Sequence, residues 1–88
     1  MAERSVQIAN KHGLHARPAA EMVKAASRFK SDITISRDDL EVNGKSIMGV
    51  MMLAAEHGAM ITLRASGPDA DDALESLAAL VASRFGES

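Results

Sequence analysis

The sequence predicts an α+β fold, an open sheet of four antiparallel strands in the order 1-4-2-3 with three helices on one face. Three observations carry this expectation. Apolar positions switch between a period of two and a period of three to four, giving the order β-α-β-β-α-β-α. Each strand alternates apolar and polar residues, so only one of its faces can be buried. Every helix carries an apolar stripe and must cover that same face. If the crossover through the first helix is right-handed and the last strand fills the gap between the first two, every pairing becomes antiparallel.

The elements follow in order. "SVQIA" at 5–9 alternates, with Val6 and Ile8 on one side, and ends at Asn10 and Gly13. From Ala16 the spacing becomes helical: Ala19, Met22, Val23, Ala26 and Phe29 form a stripe, while Glu21, Lys24 and Arg28 lie off it. "DITISRDDLEVNG" reads as a hairpin, with Ile33 and Ile35, then Leu40 and Val42, flanking a turn at Asp38 and Asp39. Gly44 breaks the strand, Ser46 is placed to cap a helix of about two turns over Ile47 to Leu53, and Gly58 closes the excursion. "AMITLRA" at 59–65 is the fourth strand. "SGPD" then gives a turn and an Asp69 cap, and Ala73, Leu74, Leu77, Leu80, Val81 and Phe85 form the stripe of the last helix. Residues 1–88 read as one domain without repeats, linkers or low-complexity segments.

Composition excludes several classes of function. With two Phe and no Trp or Tyr, stacking of bases on aromatic platforms has no residues to use. A net charge of −2 is the opposite of a phosphate-backbone footprint, so no nucleic-acid partner is expected. The absence of Cys removes disulfides, thiolate metal sites and cysteine nucleophiles, and fits a reducing compartment. "MAERSVQIAN" is charged and then alternates, without the apolar core of a signal peptide, and no stretch is long and apolar enough to insert in a membrane. The expected location is the cytoplasm.

One stretch asks for more than a core helix: "KHGLHARPAAEMVKAASRF", which places two histidines, an arginine and a proline at a helix start. His15 falls at or beside the N-cap, where backbone N–H groups lack intrahelical acceptors and an anion is favoured. Pro18 fits the first turn because its missing N–H would be unpaired there anyway. Arg17 supplies a forked cation suited to phosphate oxygens. A phosphoryl group carried by the His15 ring would find its charge compensated there, which is nucleophilic chemistry without the rest of an enzyme. From the residues alone other readings stay open: His15 as a cap or surface polar residue, or His12 and His15 as two metal ligands with no third in sight. No Ser/His/Asp set for a hydrolase is recognisable.

"GLHARPAA" at 13–20 resembles the active-site motif of HPr, the histidine phosphocarrier family of the phosphoenolpyruvate-dependent phosphotransferase system. "NGKSIMGVMML" at 43–53 resembles that family's second motif, around its regulatory serine, and the similarity extends over nearly the whole chain. The resemblance implies an open-faced β-sandwich. It implies that His15 accepts a phosphoryl group on Nδ1 from phospho-Enzyme I and passes it to an enzyme IIA, that Arg17 contacts that group, and that Pro18 belongs to the active-site turn. Ser46 matches the serine modified by HPr kinase/phosphorylase where that enzyme is present. No cofactor or metal is implied. Gly44 stands where sugar-transport members often carry a longer side chain, and residues 54–77 resemble Gram-negative forms that include the nitrogen-related branch, so both branches stay open.

A partner must dock beside His15. Ala16 and Ala20 would leave a small, flat surface there, and Lys24 would add a cation. Ile47, Met48, Met51 and Met52 put flexible apolar side chains on a short helix that cannot bury all of them, as expected of a face that repacks against more than one partner. About half of this helix's apolar set, Ile47 with Val50 or Met51, is expected in the core. His12 is expected to be an exposed neighbour, and His57 a helix-end residue without chemistry. The carrier is expected to be a monomer, because its docking surface has to stay uncovered.

Overall fold

The computed structural model describes residues 2–87. Strand β1 (Ala2–Gln7), helix α1 (Ala16–Ala26), strands β2 (Asp32–Arg37) and β3 (Leu40–Asn43), helix α2 (Ile47–Met52), strand β4 (Met60–Ser66) and helix α3 (Ala70–Ala82) follow one another, and a 3-10 turn spans Arg84–Gly86. The four strands form one open antiparallel sheet in the order β1-β4-β2-β3. Alternation decides which face is buried. Ile33 and Ile35 of β2 and Ile61, Leu63 and Ala65 of β4 point into the core, where Ala19, Met22 and Ala26 of α1, Val50 of α2 and Ala73, Leu74, Leu77 and Val81 of α3 meet them. The other face carries polar cross-strand pairs. Ser5 lies opposite Thr62 with the hydroxyls 3.3 Å apart, and Arg64 bonds Glu3 of β1 at 2.7 Å and Glu41 of β3 at 3.2 Å. The expected fold class and strand order are therefore observed.

Several local expectations need correction. β1 begins at Ala2 and ends at Gln7, but Ile8 continues the ladder by donating to Ala59 O at 2.8 Å and accepting from Gly58 N at 2.8 Å, so it is fully buried as expected. Of α2 only Val50 is buried. Ile47, Met48, Met51 and Met52 are 45%, 77%, 43% and 65% exposed, so neither Ile47 nor Met51 is a core residue: a helix of six residues has room for one inward position against β3 and α1. His57 is not at a helix end. It lies exposed in the turn before β4.

Asp69 occupies the N-cap position of α3, yet its side chain makes no cap bond. Its carboxylate instead accepts the N–H groups of Lys30 and Ser31, both at 2.9 Å, and the Ser31 hydroxyl, while its own N–H donates to Ser31 Oγ at 3.2 Å. These bonds tie the start of α3 to the chain leaving α1. The Ser31 hydroxyl first, and then the Lys30 N–H, hold the Asp69 carboxyl down to about 2. The stripe of α3 also stops short of Phe85. The helix ends at Ala82, and Arg84, Phe85 and Gly86 take positive φ values of 59°, 55° and 74°, which folds Phe85 back into the core as part of a separate turn. Left-handed backbone at two non-glycine residues is unfavourable by about 1–2 kcal/mol each. Burial of the Phe85 ring, which contributes about 2–3 kcal/mol, offsets much of that.

Candidate functional site

The site is built on the loop that joins β1 to α1. Asn10 is fully buried, and its Nδ2 donates to Gly13 O at 2.7 Å, which closes the loop on itself. Gly13 adopts φ +69°, and Leu14 donates to Ala55 O at 2.8 Å. A Cβ at Gly13 would lie 2.3 Å from Ala55 O, so glycine is required both for the backbone conformation and for the close approach. With Leu14 anchored in the core, His15 emerges as the N-cap of α1, in extended conformation, and its carbonyl accepts the first helical bond from Ala19 N at 2.9 Å.

The N-cap side chain does not cap its helix. Pro18, buried at the third helical position, has no N–H, while the N–H groups of Ala16 and Arg17 have no acceptor among the described residues. Two main-chain donors at the positive end of the helix thus stay open beside the His15 ring. Arg17 is exposed, and among the described residues its guanidinium makes no hydrogen bond or ion pair. An anion held here would meet two N–H groups and one guanidinium.

The His15 ring is 42% exposed and has a partner on one side only. Nε2 lies 3.2 Å from each carboxylate oxygen of Glu87, and among the described residues Nδ1 has no hydrogen-bond partner. Asn10 Nδ2 also donates to Glu87 Oε1 at 3.1 Å. Burial pushes the Glu87 carboxyl up, but the hydrogen bonds from His15 and Asn10 and the nearby charges of His15 and Arg17 outweigh it and hold it below the ordinary glutamate range. His12 is exposed and meets the His15 ring edge to face, with centroids 6.1 Å apart. Among the described residues no third side chain joins the two histidines in a cluster able to hold a metal.

His15, Arg17 and Pro18 are therefore together at the start of α1. Ala16, Ala20 and Lys24 lie exposed at four-residue intervals along one face of that helix. Helix α2 packs against α1 and presents its exposed Ile47, Met48, Met51 and Met52, while Ser46 caps α2 by accepting the Gly49 N–H at 3.1 Å. Asn10 and Glu87 were not among the residues expected from sequence. Glu87 is 72 positions from His15, and only the left-handed turn at Arg84–Gly86 brings it there. Gly86, a residue type that commonly ends a helix, is the signal that marks this reversal in the sequence.

The chain is similar to known proteins over nearly its whole length. The family model described as "PTS HPr component phosphorylation site" matches residues 2–83. The phosphocarrier protein HPr of Cupriavidus necator is 49% identical over 87 residues, covering 99% of this chain and 98% of the relative. Among solved structures, HPr from Thermoanaerobacter tengcongensis superposes with a TM-score of 0.96 at 46% identity, covering 100% of this chain and 99% of the other. A structure of an HPr dimer from the same organism matches with a TM-score of 0.80 at 47% identity, over 99% of this chain and 100% of that one.

Proposed function

The chain belongs to the HPr family of phosphocarrier proteins of the phosphotransferase system, and from that membership we propose that His15 is its phosphoryl-bearing residue. The reading rests above all on the His15 ring, half exposed at the N-cap of α1, with Nε2 engaged by Glu87, Nδ1 without a hydrogen-bond partner among the described residues, and a helix start whose Ala16 and Arg17 N–H groups have no acceptor among them either. The Nδ1 lone pair attacks the phosphorus of phospho-Enzyme I. A new N–P bond forms as the donor's own N–P bond breaks, and its electron pair returns to the donor ring. The incoming dianion is held by the Ala16 and Arg17 N–H groups and the Arg17 guanidinium. The reverse of these bond changes delivers the phosphoryl group to an enzyme IIA of the sugar or the nitrogen-related branch. Nothing is turned over by the protein alone, so it is a carrier, a substrate of two enzymes in turn.

Partners dock on Ala16, Ala20 and Lys24 of α1 and on Ile47, Met48, Met51 and Met52 of α2. Because one histidine visits both donor and acceptor, both use the same exposed apolar patch, and the working form is a monomer of a single domain, residues 1–88, in the cytoplasm. Ser46 sits at the edge of this patch. Where an HPr kinase/phosphorylase is present, a phosphate on Ser46 would be favoured by the helix start and would repel acidic partners from the patch. The test is incubation with phosphoenolpyruvate and Enzyme I, read by intact mass. A single acid-labile phosphoryl group, lost in His15→Ala, is expected; retention of the label in His15→Ala overturns the assignment.

A further inference from the structure

We propose that Glu87 is a positioning residue for phosphoryl transfer: its carboxylate, pinned by Asn10, keeps the His15 proton on Nε2 and so makes Nδ1 the atom that takes up and releases the phosphoryl group. The inference rests on the carrier reading and adds to it the group that sets which ring nitrogen reacts.

Donor and acceptor capacity decides the tautomer. An ionised carboxylate can only accept. Nε2 lies 3.2 Å from both Glu87 oxygens, so Nε2 must carry the hydrogen, and the neutral ring then has its lone pair on Nδ1. The arrangement is fixed from behind. Asn10 Nδ2 faces Gly13 O at 2.7 Å and Glu87 Oε1 at 3.1 Å, both acceptors, so the orientation of its amide is dictated by the partners. Asn10 is fully buried, and the Glu87 side chain is only 15% exposed. Glu87 reaches the ring through three successive left-handed residues, Arg84, Phe85 and Gly86, anchored by the buried Phe85.

This placement has a consequence for each direction of transfer. When Nδ1 forms its bond to phosphorus, no proton has to leave His15. The ring keeps its Nε2–H and becomes positively charged, and the carboxylate compensates that charge from one side while Arg17 and the helix start hold the phosphoryl oxygens on the other. When the phosphoryl group moves on, the electron pair of the N–P bond returns to Nδ1, again without a proton transfer. A ring stabilised as the protonated species is also the better leaving group. Glu87 therefore supports both steps, much as a carboxylate orients an imidazole whose other nitrogen does the chemistry.

The test combines nitrogen-15 NMR of the histidine rings in the free protein, at a pH where the ring is neutral, with the rate of phosphoryl uptake from Enzyme I. The wild-type protein is expected to show His15 as the Nε2–H tautomer. Glu87→Ala should give a mixture of tautomers and slow uptake by about tenfold, Glu87→Asp should restore part of both, and all three should stay folded at the assay temperature, since the hydrophobic core is formed without the Glu87 side chain. Identical tautomer populations in wild type and Glu87→Ala overturn the inference, as do unchanged rates. A wild-type protein that takes up no phosphoryl group overturns the carrier reading and this inference with it. The spectra, recorded without any phosphoryl donor, tell that failure from one confined to Glu87.

Discussion

At the start of α2 the Ser46 hydroxyl accepts the Gly49 N–H at 3.1 Å, whereas at the start of α1 the His15 side chain turns away to Glu87 and leaves the Ala16 and Arg17 N–H groups with no acceptor among the described residues. Both residues occupy the same N-cap position in extended conformation. The difference lies in what the exposed donors are reserved for. Closing a helix start with a hydroxyl contributes about 1 kcal/mol to stability. Leaving it open gives up that contribution and keeps an anion site beside a nucleophile. In the same chain, then, one helix start is closed by its cap, and the other, on the proposed reading, is left for the phosphoryl group.

The largest effect expected from this comparison comes from exchanging the two caps. His15→Ser and His15→Ala should both abolish phosphoryl uptake, yet Ser, which restores an N-cap oxygen, should be more stable than Ala by about 1 kcal/mol, a melting difference of roughly 4–8 °C for a domain of this size. Equal melting temperatures would mean that the start of α1 is not open. Next in size is Gly13, whose φ of +69° and contact with Ala55 O hold the loop that presents His15. Gly13→Ala should cost on the order of 2–3 kcal/mol in urea unfolding, and an unchanged midpoint would show that the loop is not held this way. Ser46→Ala should cost about 1 kcal/mol while leaving uptake on His15 intact; a loss of uptake with no loss of stability would reverse the assignment of the two helix starts.

The smallest effect concerns the third helix start, where Asp69 serves neither use and binds the chain after α1 instead. Its carboxyl is held down to about 2 in the folded protein. A lowered folded-state value means that these bonds contribute fully above the unfolded value of about 3.9 and are lost as the pH falls towards about 2. Asp69→Asn should be less stable than the wild-type protein near neutrality, and the gap should narrow between about pH 4 and 2. A gap that stays constant across that window, read by thermal melts, would remove Asp69 from the account of acid unfolding.

The order of elements and the grouping of His15, Arg17 and Pro18 were legible in the sequence because each depends on periodicity or spacing within a few residues, and the sheet order followed from the handedness of the crossover and the one face that has to be covered. The features that were not legible are long-range. Asp69 looks like a cap locally, and nothing near it in sequence shows that the Lys30 and Ser31 N–H groups compete for its carboxylate. Phe85 continues a helical period, while the left-handed turn that removes it from α3 is decided by burial of its ring. Asn10 and Glu87 meet only because that turn forms. Ile47, with Val50 or Met51, was expected inside because apolar residues usually are; Val50 is, and α2 is too short to bury Ile47 as well.

On the proposed reading, an open helix start and an Nε2-anchored ring make His15 Nδ1 the phosphoryl site. Phosphorus and nitrogen-15 NMR of the protein charged with phosphoenolpyruvate and Enzyme I tests it most directly. The account predicts one phosphoryl group bonded to Nδ1 of His15, and a phosphoryl group on Nε2, on His12 or on no histidine at all would contradict it.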